Sequence, residues 1–226
     1  NDAAIIAGTT TGAVTEDAST TTATGTLTHT DVDANNDANV FTAVSTATDS
    51  VSGYGTYTMT AAGVWTYTLD NTNSTVTALA ASATTTDTFA VTAEDGTSQT
   101  VTVTITGAND TPTISTAILD TFTNEDAVYS YDTSSYFSDV DTGDTLTYSA
   151  TLSDDSALPS WLSINSTSGV LSGTPENADV GAINVTVTAT DTNGASITDT
   201  YTLTVNNTND AAIIAGTTTG AVTEDA

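Results

Sequence analysis

The carboxylates of this chain are the side chains best placed to do chemistry. Asp31-Val32-Asp33 and Asp139-Val140-Asp141 each put two of them at i and i+2. In extended chain such positions point to one side, so both groups can converge on one ion while the valine turns inward. The chain holds 28 Asp and Glu, one His and no Lys or Arg, for a formal net charge of −28, so any balancing cation must come from outside. Two carboxylates about 4 Å apart repel by about 1 kcal/mol in water and about 4 kcal/mol near a protein surface. Clusters must therefore splay into solvent or share a metal. Oxygen donors with no Cys and a single His suit a hard cation of flexible coordination, and Ca2+ is the candidate.

The same composition excludes other chemistries. Without cationic side chains the chain cannot neutralise phosphates, which excludes nucleic acid as a partner and argues against an anionic membrane surface. It has no apolar run of about 18 residues and no basic-apolar start, so membrane insertion is not expected and an export signal would lie elsewhere. Catalysis has little support, and the chain reads as a non-enzyme. His29 has no paired nucleophile motif and reads as a surface or supporting residue. Trp65 alternates in phase with Tyr67 and Leu69 and reads as core. Trp161, in Leu158-Pro-Ser-Trp-Leu162, reads as packing, with sugar stacking as its other use.

Strands must position these groups. Thr supplies 57 of the 226 residues, and β-branched side chains favour a pleated surface over a helix. Residues 65–69, 87–93, 100–106, 183–189 and 201–205 alternate apolar with Thr or another polar residue. Turn signals such as Asp95-Gly96, Thr142-Gly143 and Asn193-Gly194 fall between them. No segment has a 3.6-residue apolar period long enough for a helix. About seven short strands per hundred residues predict an all-β chain of antiparallel Greek-key sandwiches.

Two levels of repetition organise the strands. Residues 1–18 recur unchanged at 209–226, a period of 208 that marks a tandem array. Inside the period, Thr15-Glu-Asp-Ala18 echoes Asn124-Glu-Asp-Ala127, one Asp-Val-Asp echoes the other, and the Ala-x-Asp ending at Asp95 echoes the one ending at Asp191. Asn109-Asp110 and Asn209-Asp210 close the two halves. The expected units are 1–108, 109–208 and, at 209–226, the first strand of a third.

The order Glu, Asp-x-Asp, Gly-x-apolar, acidic residue, Ala-x-Asp, Asn-Asp resembles the calcium-site grammar of cadherin repeats. The first half, with GAVTEDA, TDVDANND, GVWTYTLDN and FAVTAEDG, resembles a VCBS repeat. The second, with FSDVDTGDTLTYSA and LPSWLSINSTSGVLSGTPENADVGAINVTVTATDTNG, resembles a cadherin-like domain of dystroglycan type found in giant RTX-type adhesins. The resemblance implies two tandem Ig/cadherin-like sandwiches with calcium between consecutive domains. It implies that Glu16 and Asp70, the linker residues Asn109 and Asp110, and Asp139, Asp141 and Asp191 form the junction inside this chain. Glu125 and Glu176 with Asn209 and Asp210 would form the lower half of the next junction. Asn1, Asp2, Asp31, Asp33 and Asp95 would form the upper half of the preceding one. Asp70-Asn71 and Glu176-Asn177 stand where cadherins have Asp-Arg-Glu, which implies fewer or weaker ions per junction.

The expected function is a calcium-rigidified extender of a secreted bacterial surface adhesin, extracellular, projecting a distal binding module and supporting cell adhesion or biofilm formation. Its partners would be neighbouring repeats of the same chain. A carbohydrate-binding module, with a polysaccharide partner at Trp161, is one alternative. A filament subunit assembling by strand addition through 209–226 is another.

Overall fold

The computed structural model describes residues 2–32 and 40–209. The alternation of the sequence sets the layers. In β8 (Ser98–Thr106), Val101, Val103 and Ile105 face a core while the threonines between them face outward. In β16 (Gly181–Thr190), Val185, Val187 and Ala189 do the same for a second core.

The first sandwich has one five-stranded sheet, ordered β1 (Ile5–Gly8), β3 (Thr22–Thr30), β6 (Val64–Leu69), β5 (Gly55–Met59), β4 (Val44–Asp49). Facing it is a three-stranded sheet of β2 (Thr11–Thr15), β8 and β7 (Thr84–Thr92). Between the sheets lie Leu27, Phe41, Met59, Trp65, Tyr67, Phe89 and the inward residues of β8. Trp65 is fully buried, as its phase with Tyr67 and Leu69 predicts, and its indole N–H donates to the Thr9 carbonyl at 2.8 Å. Burying each such large side chain stabilises by roughly 1.5–3 kcal/mol. Gly25 makes room for the ring: a Cβ there would lie 2.5 Å from Trp65 Cζ2. Within this core Asp87 is fully buried, accepting hydrogen bonds from the amides of Ser52, Tyr54 and Thr88 and from the hydroxyls of Ser50 and Tyr67.

The second sandwich pairs a sheet of β10 (Thr121–Asn124), β17 (Ser196–Asn206), β16 and β13 (Thr147–Leu152) with a sheet of β11 (Tyr129–Asp132), β15 (Val170–Gly173) and β14 (Leu162–Ile164). A two-stranded ribbon of β9 (Thr113–Ile114) and β12 (Phe137–Ser138) lies beside them. Its core is separate, built from Tyr129, Phe137, Tyr148, Leu162, Leu171, Tyr201 and Leu203 with the inward residues of β16.

Not every pairing is antiparallel as the alternation suggested. β2 runs parallel to β8, with Thr11 opposite Thr102 and Thr15 opposite Thr106, and β10 runs parallel to β17. Each sandwich thus pairs an early strand with its last one, so the chain enters at one end and leaves at the other. The helical content among the described residues is two 3₁₀ turns, Ser134–Tyr136 and Asn177–Asp179. Among these residues no helix is long and apolar enough to cross a membrane.

Candidate metal centre

Each parallel strand pair ends in the same device. After β2, the Glu16 amide donates to the Thr106 carbonyl at 2.9 Å, and Oε2 accepts the Ala108 amide at 3.4 Å. After β10, the Glu125 amide donates to the Asn206 carbonyl at 3.0 Å, and Oε1 accepts the Thr208 amide at 2.5 Å. The following residues, Asp17 and Asp126, adopt φ of 52° and 62°, a left-handed turn that aspartate tolerates better than most side chains. Both glutamates are buried, at 1% and 2% exposure, and each keeps one oxygen without a hydrogen-bond partner, Oε1 of Glu16 and Oε2 of Glu125. Burial, reinforced by the nearby Asp110, Asp17 and Asp141, pushes the Glu16 carboxyl up to about 7.

The linker and the near end of the second sandwich face Glu16. Asp139 Oδ1 accepts the Asp141 amide at 2.9 Å, closing a turn. Gly143, at φ 93°, reverses the chain so that Asp144 comes back beside Asp141, its amide 3.2 Å from the Asp141 carbonyl. Asp141 Oδ2 accepts the linker amide of Asp110 at 3.0 Å. Asp191 holds its own turn through the amides of Asn193 and Ala195, and its Oδ2 accepts Asn109 Nδ2 at 2.9 Å. Asn193 Nδ2 in turn donates to Asn109 Oδ1. One further bond joins the sandwiches directly, from the Thr142 amide to the Ala78 carbonyl at 3.0 Å.

This packing brings one carboxylate oxygen each of Asp139, Asp144 and Asp191 within 4.8 Å of one another. At that distance each charged pair repels by about 3–4 kcal/mol at an effective dielectric of about 20. Oδ2 of Asp139, Oδ1 of Asp141 and Oδ2 of Asp144 are buried without a hydrogen-bond partner. Burial raises the Asp141 carboxyl above the usual range, with Asp139, Asp144 and Asp191 adding to it, and burial with Asp141, Asp17 and Asp139 does the same to Asp110. At Asp191 burial is outweighed by the hydrogen bonds from Asn109, Ala195 and Asn193, which hold its carboxyl low. Buried oxygens that lack donors, drawn from a chain with no Lys or Arg, fit a hard cation.

Of the residues singled out in the sequence, Glu16, Asn109, Asp110, Asp139, Asp141 and Asp191 meet at this junction. Asp70 lies at the same end of the first sandwich, but its Oδ1 accepts the Thr72 amide and hydroxyl at 2.9 and 2.6 Å, in an exposed turn. Glu125 and Glu176 share the far end of the second sandwich, where the Asp126 amide donates to the Pro175 carbonyl. The Glu176 carboxylate there caps its own 3₁₀ turn in a reciprocal box with Asp179. Asp95 accepts the Ala4 amide at 2.8 Å, the Thr97 amide at 2.8 Å and the Thr97 hydroxyl at 2.5 Å. Asp2 and Asn209 are exposed and Asp31 is half-buried. Asn1, Asp33 and Asp210 lie outside the described residues.

Three expectations need correction. Val32 and Val140 do not turn inward; they are 80% and 49% exposed, and at the second string Asp139 closes a loop turn after β12 so that Asp141, not Val140, is buried. The two Ala-x-Asp strings are not equivalent. The Asp191 amide donates to the Ala195 carbonyl as the Ala93 amide does to Thr97, so Asp191 corresponds to Ala93 and Asn193 to Asp95. His29 is buried, not at the surface, its Nε2 3.0 Å from the Val40 carbonyl and 2.9 Å from the Val40 amide. Asp144, Asp17 and Asn193 were not singled out by their spacing. The signal for Asp144 was Asp-x-Asp-x-Gly-Asp, in which the glycine turn returns a third carboxylate to the first two.

Residues 1–107 match the family model described as "Bacterial cadherin-like domain" and residues 111–206 match the one described as "Putative Ig domain". The fold is cadherin-like. The solved extracellular cadherin domains 1–5 of protocadherin gamma B2 superpose with a TM-score of 0.62 at 18% identity, over 92% of this chain and 41% of that one. The protocadherin gamma B4 extracellular domain gives 0.58 at 19% identity, over 90% and 33%. The chain thus spans less than half the length of either ectodomain. No curated protein matches it. Cadherin-like domains are usually extracellular, generally bind calcium and are typically not enzymes.

Proposed function

We propose that this cadherin-like chain is a calcium-stiffened extender of a secreted bacterial surface adhesin, of the type built from VCBS and dystroglycan-type repeats. It holds a distal binding module away from the cell and serves adhesion or biofilm formation. The observation that carries this reading is the set of buried carboxylate oxygens without partners, contributed to one junction by Glu16 of the first sandwich and by Asp139, Asp141 and Asp144 of the second. Asp139, Asp144 and Asp191 would hold one cation, and Glu16, Asp110 and Asp141 would offer further carboxylate oxygens beside it at the same junction. Calcium supplies the positive charge that this sequence lacks. The protein's own part is to fix the donors with the Gly143 turn, the Asp141–Asp110 bond and the Asn109–Asp191 bond.

Bound ions convert mutual repulsion into cohesion between the sandwiches. At a calcium concentration about ten times Kd, each site adds ~1.4 kcal/mol to the ordered junction. At ~1.4 kcal/mol, one such site already exceeds RT, the thermal scale for bending at the junction. Small-angle scattering of the chain in millimolar calcium should give a longer maximum dimension than in EDTA. An unchanged dimension sinks the stiffening role.

A further inference from the structure

We propose that Asn193 is a site of spontaneous deamidation, and that its conversion to aspartate or isoaspartate opens the clasp by which Asn109 ties the linker to the second sandwich. This goes beyond the extender reading and does not depend on it. Asn193-Gly194 is the one Asn-Gly pair in the sequence. Both residues are exposed, in the turn between β16 and β17. Glycine leaves its nitrogen unshielded, and at Gly194 no atom outside the adjoining residues lies within 4 Å of where a Cβ would stand. The Gly194 amide is held loosely, 3.4 Å from the Asp191 carbonyl, where the matching Gly96 amide lies 3.0 Å from the Ala93 carbonyl. As its proton passes to solvent, the Gly194 nitrogen bonds to Asn193 Cγ, a ring closure that needs no second molecule. The Cγ–Nδ2 bond breaks, and the nitrogen leaves as ammonia with a proton from solvent. Water then opens the cyclic imide at either carbonyl. Amide and water thus become carboxylate and ammonia, with nothing oxidised or reduced.

The first sandwich shows that this turn accepts an aspartate, since Asp95-Gly96 occupies the same place, with Gly96 at φ 95° and Gly194 at 94°. There the carboxylate takes the Ala4 amide and the Thr97 amide and hydroxyl. None of these three donors is offered to residue 193. Pro112 stands at the place of Ala4 and has no N–H. Ala195 stands at the place of Thr97, lacks a hydroxyl, and gives its amide to Asp191 Oδ1 at 2.9 Å. Asn193 instead donates from Nδ2 to Asn109 Oδ1. Asn109 cannot turn round to serve a carboxylate without loss, because its Nδ2 already donates to Asp191 Oδ2 at 2.9 Å and to the Asp110 carbonyl at 2.8 Å, which uses both hydrogens. Deamidation therefore sets oxygen against oxygen at the clasp. The isoaspartate product also lengthens the backbone inside the turn that the Asp191 carboxylate holds through the amides of residues 193 and 195.

To test the site, the purified chain is aged in EDTA at neutral pH and body temperature, then cut with a protease specific for acidic residues, since it has no Lys or Arg. Mass spectrometry follows the conversion of amide to acid. Conversion at Asn193 should outrun, several-fold, that at Asn165, an exposed Asn-Ser whose Oδ1 is held by the Thr167 and Ser168 amides. Labelling by an isoaspartate methyltransferase should fall on the Asn193 peptide. Gly194→Ala should slow the reaction several-fold. Because a φ of 94° strains a side chain there, Asn193→Gln, which lengthens the side chain and leaves the backbone alone, is the second variant and should suppress it. Equal rates at Asn193 and Asn165, or undiminished labelling in both variants, overturns the site. To test the consequence, Asn193→Asp is compared with the unaltered chain in EDTA by hydrogen exchange. The Asp110 amide, which donates to Asp141 Oδ2, should exchange several-fold faster while the core amides of β16 keep their rates. Unchanged exchange at Asp110 overturns the opening of the clasp.

Discussion

In the calcium-free protein, acidification should stabilise the first sandwich, against the usual behaviour of carboxylate-rich proteins. Glu16 has an ordinary carboxyl pKa of 4.5 and is pushed up to about 7 in the fold by burial and by Asp110, Asp17 and Asp141. Between these values the folded state holds a proton that the unfolded chain has released. Stability therefore falls as pH rises from about 4.5 to 7, and above 7 the full cost is present. The difference corresponds to about 3 kcal/mol, and a domain of this size shifts its Tm by about 4–8 °C per kcal/mol. Asp110 and Asp141 are displaced in the same direction and add to the slope. Thermal unfolding in EDTA, followed by fluorescence of the buried Trp65, should give a higher Tm at pH 5.5 than at pH 7.5. Glu16→Gln should remove most of the difference. Calcium should reverse it, because the metal binds the charged carboxylate. A Tm in EDTA that is flat or rises between pH 5.5 and 7.5, or a slope that survives Glu16→Gln, refutes the account of Glu16 as a buried, donor-poor carboxylate.

Two further predictions concern the scaffold. Gly25→Ala places a methyl 2.5 Å from the Trp65 ring and should cost about 1–3 kcal/mol, read as a lower urea midpoint with the slope unchanged. Asp87→Ala strips five buried or half-buried donors of their acceptor and should cost at least about 3 kcal/mol, with Asp87→Asn falling between it and the native chain by the same denaturation assay.

Which of these features could be read from the residues depended on whether a side chain's role follows from periodicity or from a turn. Trp65, Tyr67 and the inward residues of β8 and β16 are buried as their alternation requires, because a sheet has only two faces. The parallel pairing of β2 with β8 was not legible, since alternation says which face a residue takes but not the direction of the neighbouring strand. At the junction, the Asp-Val-Asp pairs are recognisable, yet Val140 faces outward because the pair lies in a loop, where the two-sided alternation of an extended strand does not hold. Asp144 depends on the positive φ of Gly143, and the correspondence of Asp191 with Ala93 depends on a hydrogen bond two residues away from the matching letters. Asp70 and Glu176 have the right charge at the right ends, but the neighbouring Thr72 and Asp179 complete local turns with them, a competition that residue type alone does not rank.

The direction of β2 also bears on how the molecule resists being pulled. The chain enters β2 at Thr11 and leaves β8 at Thr106, and the two strands run side by side in one direction. Tension applied through the neighbouring segments drags them past each other lengthwise, so the rungs from Thr11–Thr102 to Thr15–Thr106 are sheared together instead of unzipping singly. The same geometry recurs between β10 and β17. Each sandwich is therefore oriented to oppose traction along the shared direction of these paired strands.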